Sequence, residues 1–93
     1  MKYFDWNEEK NKELIKTRNI SFEDAMFYIQ RGEILDILEH INQTKYPNQQ
    51  YFVLNINEYI YYVPFVEDKE KVFLKTIIPS RKLTKKYLNK NGE

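Results

Sequence analysis

The chain contains no cysteine and very little glycine or histidine. The absence of Cys excludes a disulfide-stabilised scaffold, a thiolate zinc site and a Cys nucleophile. Two Gly residues are too few for a glycine-rich phosphate loop, and a single His leaves only scattered carboxylates as metal ligands. The sequence therefore predicts a function that uses no bound metal, nucleotide or other cofactor.

Long hydrophobic runs are also missing. The longest mostly apolar stretch, residues 59–66, is far too short to span a bilayer. The N-terminus becomes acidic at Asp5 before any apolar run could form a signal peptide. With 93 residues, the chain is predicted to form one domain, 1–93, that is soluble, cytoplasmic and not bound to a membrane.

Aromatic residues, in contrast, are plentiful. They make up 16% of the chain, and eight of them are Tyr. A domain of this size buries only about 60–65% of the surface of its extended chain. Many of the Tyr side chains must therefore lie half exposed or against a partner, which predicts an interaction surface.

Charge is unevenly distributed along the chain, although the net charge is only +1. Residues 1–46 carry seven Lys or Arg against nine Asp or Glu, whereas residues 47–93 carry eight against five. Between Lys71 and Gly92 there are seven basic residues and no acidic one. A polyanion or an acidic partner segment is the natural counterpart of this basic stretch.

Local signals predict two helices near the N-terminus. Asn7 followed by two Glu residues is typical of an N-cap and first turn, which predicts a helix over about 8–17. Ser21 and Asp24 have the spacing of a capping box, so a second helix should begin at Phe22 and end near Gly32.

The rest of the chain is predicted to be mostly strand. Residues 33–41 fit either a helix or a strand, and we favour a strand. Alternation predicts strands over 51–57, 59–66 and 72–78, with a tight turn at Asn57 and a bulge or sheet edge at Pro64. A short basic helix should follow over about 83–90. The predicted fold is α+β, with two N-terminal helices packed on a three- to four-stranded antiparallel sheet and a short C-terminal basic helix.

Three segments in this order resemble the BrnT family of ribonuclease toxins, which share the RelE-like fold. Residues 6–10, Trp-Asn-Glu-Glu-Lys, are similar to the family's opening W-D-x-x-K, and residues 20–25 are similar to its V-S-F-E-E-A. Residues 77–84, Ile-Ile-Pro-Ser-Arg-Lys-Leu-Thr, are similar to its I-I-S-A-R-K-A-T. The resemblance implies a RelE-like fold for nearly the whole chain.

The chain also departs from the family pattern. Leu14 and residues 17–19 replace the family's Asn and Lys-His-Gly. Gln50 and Asp68 fall near positions where the family has Arg. Two Arg side chains that the resemblance implies for phosphate handling are therefore missing. Either other lysines substitute for them, or the activity is altered or lost.

Cleavage of RNA without a metal needs a base for the ribose 2′-hydroxyl, an acid for the leaving oxygen and cations for the phosphorane. Arg81 is the strongest candidate, because it lies in the best-matched segment and a guanidinium binds phosphate in bidentate fashion. A surface salt bridge is its alternative role. Lys75, predicted to share a strand face with Phe73 and Ile77, is a candidate transition-state cation or an edge lysine.

The remaining candidates are acid–base and RNA-backbone groups. His40 is the one side chain with an unperturbed pKa near neutrality, and Glu39 could orient it, although a lone His is more often structural. Tyr87 could donate a proton or hold a phosphate, although its helical spacing also fits packing on the sheet. A patch of lysines predicted to bind the RNA backbone, or else to form a solvated helix face, comprises Lys82, Lys85, Lys86 and Lys90. Trp6 is predicted to be a core anchor rather than a base-stacking platform.

The resemblance implies a toxin of a type II toxin–antitoxin system, a metal-independent endoribonuclease that acts on RNA. Its expected partner is a cognate antitoxin with a DNA-binding domain, in a hetero-oligomeric complex that represses its own operon. An alternative is a catalytically degenerate toxin fold that survives as a binding module for a DNA-binding protein. A third possibility is a tyrosine-rich interaction protein with no nucleic-acid role.

Overall fold

The computed structural model describes residues 2–39, 42–45 and 47–88. This part of the chain has an α+β arrangement with three helices and a six-stranded sheet. None of these helices is long and apolar enough to cross a bilayer. In chain order the elements are β1 (Tyr3–Asp5), α1 (Glu8–Arg18), α2 (Phe22–Gln30), β2 (Asp36–Glu39), β3 (Gln49–Ile56), β4 (Tyr59–Glu67), β5 (Lys71–Leu74), β6 (Ile78–Pro79) and α3 (Arg81–Leu88).

The first two helices begin where their capping residues predicted. The Asn7 side chain accepts a hydrogen bond from the Lys10 amide at the start of α1. At the start of α2, Ser21 and Asp24 form the predicted capping box, with both reciprocal hydrogen bonds present. Gly32 follows α2 with a φ of 76°, the left-handed conformation that commonly ends a helix.

The two helices are joined by a buried polar side chain, Asn11, which is only 3% exposed. Its Oδ1 accepts a hydrogen bond from the Phe22 amide at 2.7 Å, and its Nδ2 donates to Glu23 Oε1 at 2.8 Å. The Phe22 amide is one of the unpaired donors at a helix start, so Asn11 satisfies a group that would otherwise be buried without a partner. Asn11 thus fixes α1 against the first turn of α2.

We expect Asn11→Ala to lower the free energy of unfolding by about 1–3 kcal/mol, since it leaves the buried Phe22 amide without an acceptor. Urea denaturation of the variant and the wild type measures this difference. The control is Lys12→Ala, an exposed change on the same helix, which should stay within about 0.5 kcal/mol. Equal stability of the two variants would contradict the bridging role of Asn11.

The sheet is larger than predicted and is not purely antiparallel. Its strand order is β1-β5-β4-β3-β2, and β6 pairs separately with β4. The pair β1 and β5 is parallel, with Phe4 opposite Val72, whereas the other pairs are antiparallel. The predicted antiparallel sheet of three or four strands is therefore corrected to a mixed sheet of six.

The β3–β4 hairpin forms the centre of the sheet, in a register that extends from Gln49 opposite Val66 to Ile56 opposite Tyr59. Its turn residues, Asn57 and Glu58, both have positive φ, as a two-residue hairpin turn requires. The predicted tight turn is confirmed.

Pro64 was predicted to mark a bulge or a sheet edge. It lies in this central hairpin, so the edge alternative is wrong. On one side it is opposite Tyr51 of β3. On the other side, β4 pairs with β6 at Tyr61 and Tyr62 and with β5 from Phe65 onward, so Pro64 stands between the two ladders. Its carbonyl accepts a hydrogen bond from the Lys75 amide at 2.8 Å. A residue without an N–H fits here because the ladder is interrupted at this point.

The core lies between α1, α2 and one side of the sheet, which we call the core face. From the helices, Leu14, Phe22 and Ala25 are buried at 1% exposure or less. The Trp6 ring stacks on Phe22 with centroids 5.6 Å apart, in the predicted role of core anchor. Buried strand residues of the core face are Phe52, Leu54, Ile56, Val63, Phe65, Val72 and Leu74.

The predicted third strand is broken between Leu74 and Ile78, and this break changes the facing of its residues. Residues 75–77 do not pair as a strand, and Ile77 is fully buried in the same core cluster as Leu74. The prediction that Lys75 and Ile77 share a face was therefore wrong. A continuous strand would have kept strict alternation, but the unpaired segment shifts its phase.

Helix α3 lies on the opposite side of the sheet, which we call the open face. Ser80 caps it by accepting a hydrogen bond from the Leu83 amide, so the helix begins at Arg81, two residues earlier than predicted. Thr84 Oγ1 accepts a hydrogen bond from the Ile60 amide at 2.9 Å and fixes the helix over the start of β4. Val53 and Ile60, whose side chains alternate with those of the core face, are fully buried on this side.

Candidate functional site

The open face is only partly covered by α3. The hydrogen bonds of α3 reach Ile60 at one end and Asp36 of β2 at the other, so the helix crosses β4, β3 and β2. Beyond it, the face continues along the strands toward the opposite end of the sheet. Open-face residues in that direction are Leu38, Tyr51, Pro64, Lys75, Gln49, Val66, Phe73 and Asp5, as strand register and alternation place them.

Two aromatic rings and a cation lie on the open face. The Tyr51 and Tyr62 rings meet edge to face, with centroids 5.4 Å apart, and both side chains are half-buried. Pro64 lies between Tyr51 on one side and Lys75 on the other. The Lys75 Nζ donates a hydrogen bond to Gln49 Oε1 at 2.9 Å. The Lys75 ammonium retains two further donors, and its side chain is exposed. This arrangement offers a point charge beside apolar rings.

The helix adds further positive charge to the same side of the sheet. Arg81 is the first residue of α3, and its exposed side chain makes no hydrogen bond or ion pair with residues 2–39, 42–45 or 47–88. Lys82, Lys85 and Lys86 are also exposed, and Lys86 Nζ lies 5.7 Å from the centroid of the Tyr87 ring. No acidic residue interrupts the helix. A cationic helix thus lies across an aromatic sheet face.

Tyr87 links the helix to strand β2. Its hydroxyl donates a hydrogen bond to Asp36 Oδ2 at 3.2 Å. Burial raises the pKa of the Tyr87 hydroxyl above its ordinary value, and the Asp36 carboxylate raises it further by accepting the hydrogen bond and by its charge. Tyr87 therefore keeps its proton at neutral pH. Tyr87 thus bonds to the sheet through its hydroxyl, and its predicted roles in packing and in proton donation stay predictions.

The structure therefore brings some of the predicted residues to one side of the sheet, whereas others lie outside the described residues. Lys75, Tyr87, Arg81, Lys82, Lys85 and Lys86 belong to the open face or to the helix on it. His40 and Lys90 lie outside the described residues, so their predicted roles stay predictions. Glu39, the predicted orienting carboxylate for His40, is exposed at the end of β2.

The two departures from the family pattern, Gln50 and Asp68, come together in space. Both line a cavity of about 500 Å³ at one end of the sheet. Lys2 and Lys69 also line it, and Lys2 forms an ion pair with Glu67. Cations are thus present beside the two positions, although Gln50 itself belongs to the core face by alternation with Phe52.

Sequence reasoning missed two residues that organise the open face. Gln49 holds the Lys75 ammonium, and Asp36 accepts from Tyr87. The predicted strand over 51–57 begins two residues after Gln49, whereas β3 begins at Gln49, and extending the alternation back by two residues would have included it. Asp36 carries no comparable signal, since its partner is 51 positions away.

Comparison of the chain with protein-family models, with curated proteins and with solved structures gives no match in any of the three.

Proposed function

We propose that this protein is a metal-independent endoribonuclease with a RelE-like fold, the toxin component of a type II toxin–antitoxin system. The observation that supports the proposal best is the open face itself. The cationic helix α3 crosses a sheet face that carries the Tyr51 and Tyr62 rings and the Lys75 ammonium. Cations bind the RNA backbone and aromatic rings stack on unpaired bases, so both features suit single-stranded RNA.

The candidate residues fit the chemistry of RNA cleavage by internal transfer. The ribose 2′-oxygen attacks the adjacent phosphorus and the 5′-oxygen of the next nucleotide leaves, giving a 2′,3′-cyclic phosphate and a 5′-hydroxyl. Arg81 and Lys75 stabilise the negative charge that develops on the phosphorane. Tyr87, which keeps its proton at neutral pH, donates it to the leaving oxygen, and His40 serves as the base for the 2′-hydroxyl.

The partner in this proposal is a cognate antitoxin with a DNA-binding domain. Strand β2 lies at the edge of the sheet and all four of its residues are exposed. Leu35, Ile37 and Leu38 expose 37–45% of their surface there. An edge strand with exposed apolar side chains is a surface that a partner segment covers by adding a strand, and it lies beside Tyr87, so a bound antitoxin would reach the RNA face.

The proposal is tested by binding and cleavage of a mixed RNA pool in the presence of EDTA. We expect cleavage to a cyclic phosphate end, and binding that weakens as salt is raised. Replacing Lys82, Lys85 and Lys86 together with Ala should reduce the slope of log affinity against log salt by about 2, since each phosphate contact to a single strand contributes about 0.7.

The control for the triple variant replaces Lys10, Lys12 and Lys16 of α1 with Ala, which removes the same charge from the helix that packs on the core face. Its salt slope should match that of the wild type. An equal loss of slope in both variants would mean that net charge, and not the α3 surface, determines binding. Absence of any RNA binding by the wild type would refute the nuclease and favour the tyrosine-rich interaction protein.

A catalytically degenerate toxin fold is the second candidate. The specific observation in its favour is that Gln50 and Asp68 both line one cavity where the resemblance implies two Arg side chains. In that case the open face would still bind RNA or a DNA-binding partner, but no cleavage would follow. Binding with no cleavage product distinguishes it from the first candidate.

A further inference from the structure

A second, smaller cavity on the open face combines apolar walls with three charged residues. One of them, Glu67, forms an ion pair with Lys2, and the other two are Asp68 and Lys71. It has a volume of about 190 Å³, and its apolar lining comes from Pro47, Val66 and Phe73. This volume corresponds to about six waters at ~30 Å³ each, which is the scale of one nucleobase. Val66 and Phe73 are opposite each other in register, so their side chains share the open face. The cavity therefore offers an apolar slot for one flat ring system.

The first charged group is the Asp68 carboxylate, whose orientation is fixed. Its Oδ1 accepts hydrogen bonds from the Glu70 amide at 2.8 Å and the Lys71 amide at 2.9 Å. These two backbone donors lower the pKa of Asp68, so the group is ionised at neutral pH. Its Oδ2 accepts no hydrogen bond from residues 2–39, 42–45 or 47–88. One oxygen thus holds the loop, and the other is available to a ligand.

The second charged group is the Lys71 ammonium, which lies 5.8 Å from the centroid of the Phe73 ring. Lys71 pairs with Asp5 at 3.3 Å, longer than the usual charge-assisted hydrogen bond of about 2.7–2.9 Å. An ammonium has three donors, so Lys71 can hold Asp5 and also donate to a ligand oxygen. The cavity therefore presents a hydrogen-bond acceptor and a cationic donor together.

We propose that this cavity binds a guanine base of an RNA strand. Of the four RNA bases, guanine alone presents two adjacent donors, N1–H and the N2 amino group, next to a carbonyl oxygen, O6. The donors are directed to Asp68 and O6 is directed to Lys71, while Phe73, Val66 and Pro47 contact the ring. Adenine places its amino group where guanine has O6 and would set a donor against the Lys71 ammonium.

The cavity lies next to the surface assigned to RNA, because its lining residue Phe73 shares the open face with Lys75. Phe73 and Lys75 are two residues apart, about 7 Å along an extended chain, and both belong to the open face. A base in the cavity would therefore place its strand beside the Lys75 ammonium. This inference rests on the proposed function, which it extends by naming the base that the nuclease reads.

The test measures binding of 2′-O-methyl hexanucleotides UUUXUU by fluorescence anisotropy, with X as guanine, adenine, cytosine, uracil or hypoxanthine. The methyl group prevents cleavage, so binding is separated from activity. We expect the guanine hexamer to bind about tenfold more tightly than the adenine hexamer, within the range of one good bidentate contact. Hypoxanthine, which lacks the N2 amino group, should fall between them.

Two variants test whether Asp68 causes the preference for guanine over adenine. Asp68→Asn keeps an oxygen for the Glu70 and Lys71 amides but replaces the available acceptor with an NH2 group, so the preference for guanine over adenine should fall to within about twofold. Glu70→Gln is the matched control, an amide for a carboxylate in the same exposed turn, and should keep the wild-type preference. Equal affinity of wild type for all hexamers, or an unchanged preference in Asp68→Asn, would overturn the guanine site.

Competition by guanosine monophosphate distinguishes a base in RNA from a free nucleotide. Weak competition relative to the guanine hexamer supports recognition within a strand, whereas competition of equal strength would overturn it. The cleavage assay in EDTA separates this inference from the function on which it rests. Base-indifferent binding with cleavage overturns the guanine site alone, and a guanine preference without cleavage overturns the nuclease alone.

Discussion

Phe22→Ala is expected to lower the free energy of unfolding by about 3–5 kcal/mol. The Phe22 side chain is fully buried, belongs to the core cluster and stacks on Trp6. Its removal loses both the apolar burial and the contacts around the cavity that remains. Domains are stable by only about 5–15 kcal/mol, so the variant should lose a large part of its stability, as measured by urea denaturation.

The matched control is Phe27→Ala on the same helix. Phe27 is 53% exposed, and its ring contacts Tyr28 and Arg31 at the surface. We expect a loss of less than about 1 kcal/mol, because little apolar area is removed from water on folding. If the two variants unfolded at the same urea concentration, α2 would not be anchored in the core through Phe22.

The two N-terminal helices could be predicted because their signals are local. Asn7 and the Ser21 capping box are recognised by residues three positions away, and such pairs are visible in the sequence. The β3–β4 hairpin was also predictable, since alternation and Asn57 determine its register and turn. In each case the residues that decide the structure are neighbours along the chain.

Strands β1 and β6 could not be predicted for the opposite reason. They are three and two residues long, too short to show a period. Strand β1 exists because Tyr3, Phe4 and Asp5 pair with β5, nearly seventy positions later. The break after Leu74, which buries Ile77, likewise depends on tertiary pairing. It occurs where β4 changes its pairing partner from β5 to β6. Such pairings are tertiary, and no local pattern reports them.

The candidate site was partly predictable. The basic character of the C-terminal third lies in the sequence and led to the lysines of α3, and the resemblance of residues 77–84 to the family pattern led to Arg81. That α3 covers the open face and not the core face follows from Thr84 and Tyr87, whose partners Ile60 and Asp36 are distant in sequence. The cavity at Asp68 was not predicted, because Asp68 was noted only as a residue that stands where the family has Arg.

Arg81→Ala is expected to reduce the rate of RNA cleavage by about 10²–10³-fold, the usual cost of removing one group that stabilises developing charge in a transition state. The Arg81 side chain is exposed at the start of α3 and makes no hydrogen bond or ion pair within the described residues, so the fold should be retained. Single-turnover cleavage of labelled RNA in EDTA measures the rate, and anisotropy measures binding.

Binding should weaken much less than the rate, because one cation of several is removed while Lys82, Lys85 and Lys86 remain. Arg31→Ala is the control for loss of an arginine, since Arg31 follows α2 and pairs with Glu33 at 2.9 Å. Its cleavage rate should equal that of the wild type. A loss of affinity with no change in the rate at saturating protein would assign Arg81 to ground-state binding alone. An unchanged rate in Arg81→Ala would remove the guanidinium from the reaction altogether, because a group that stabilises only the transition state must appear in the rate.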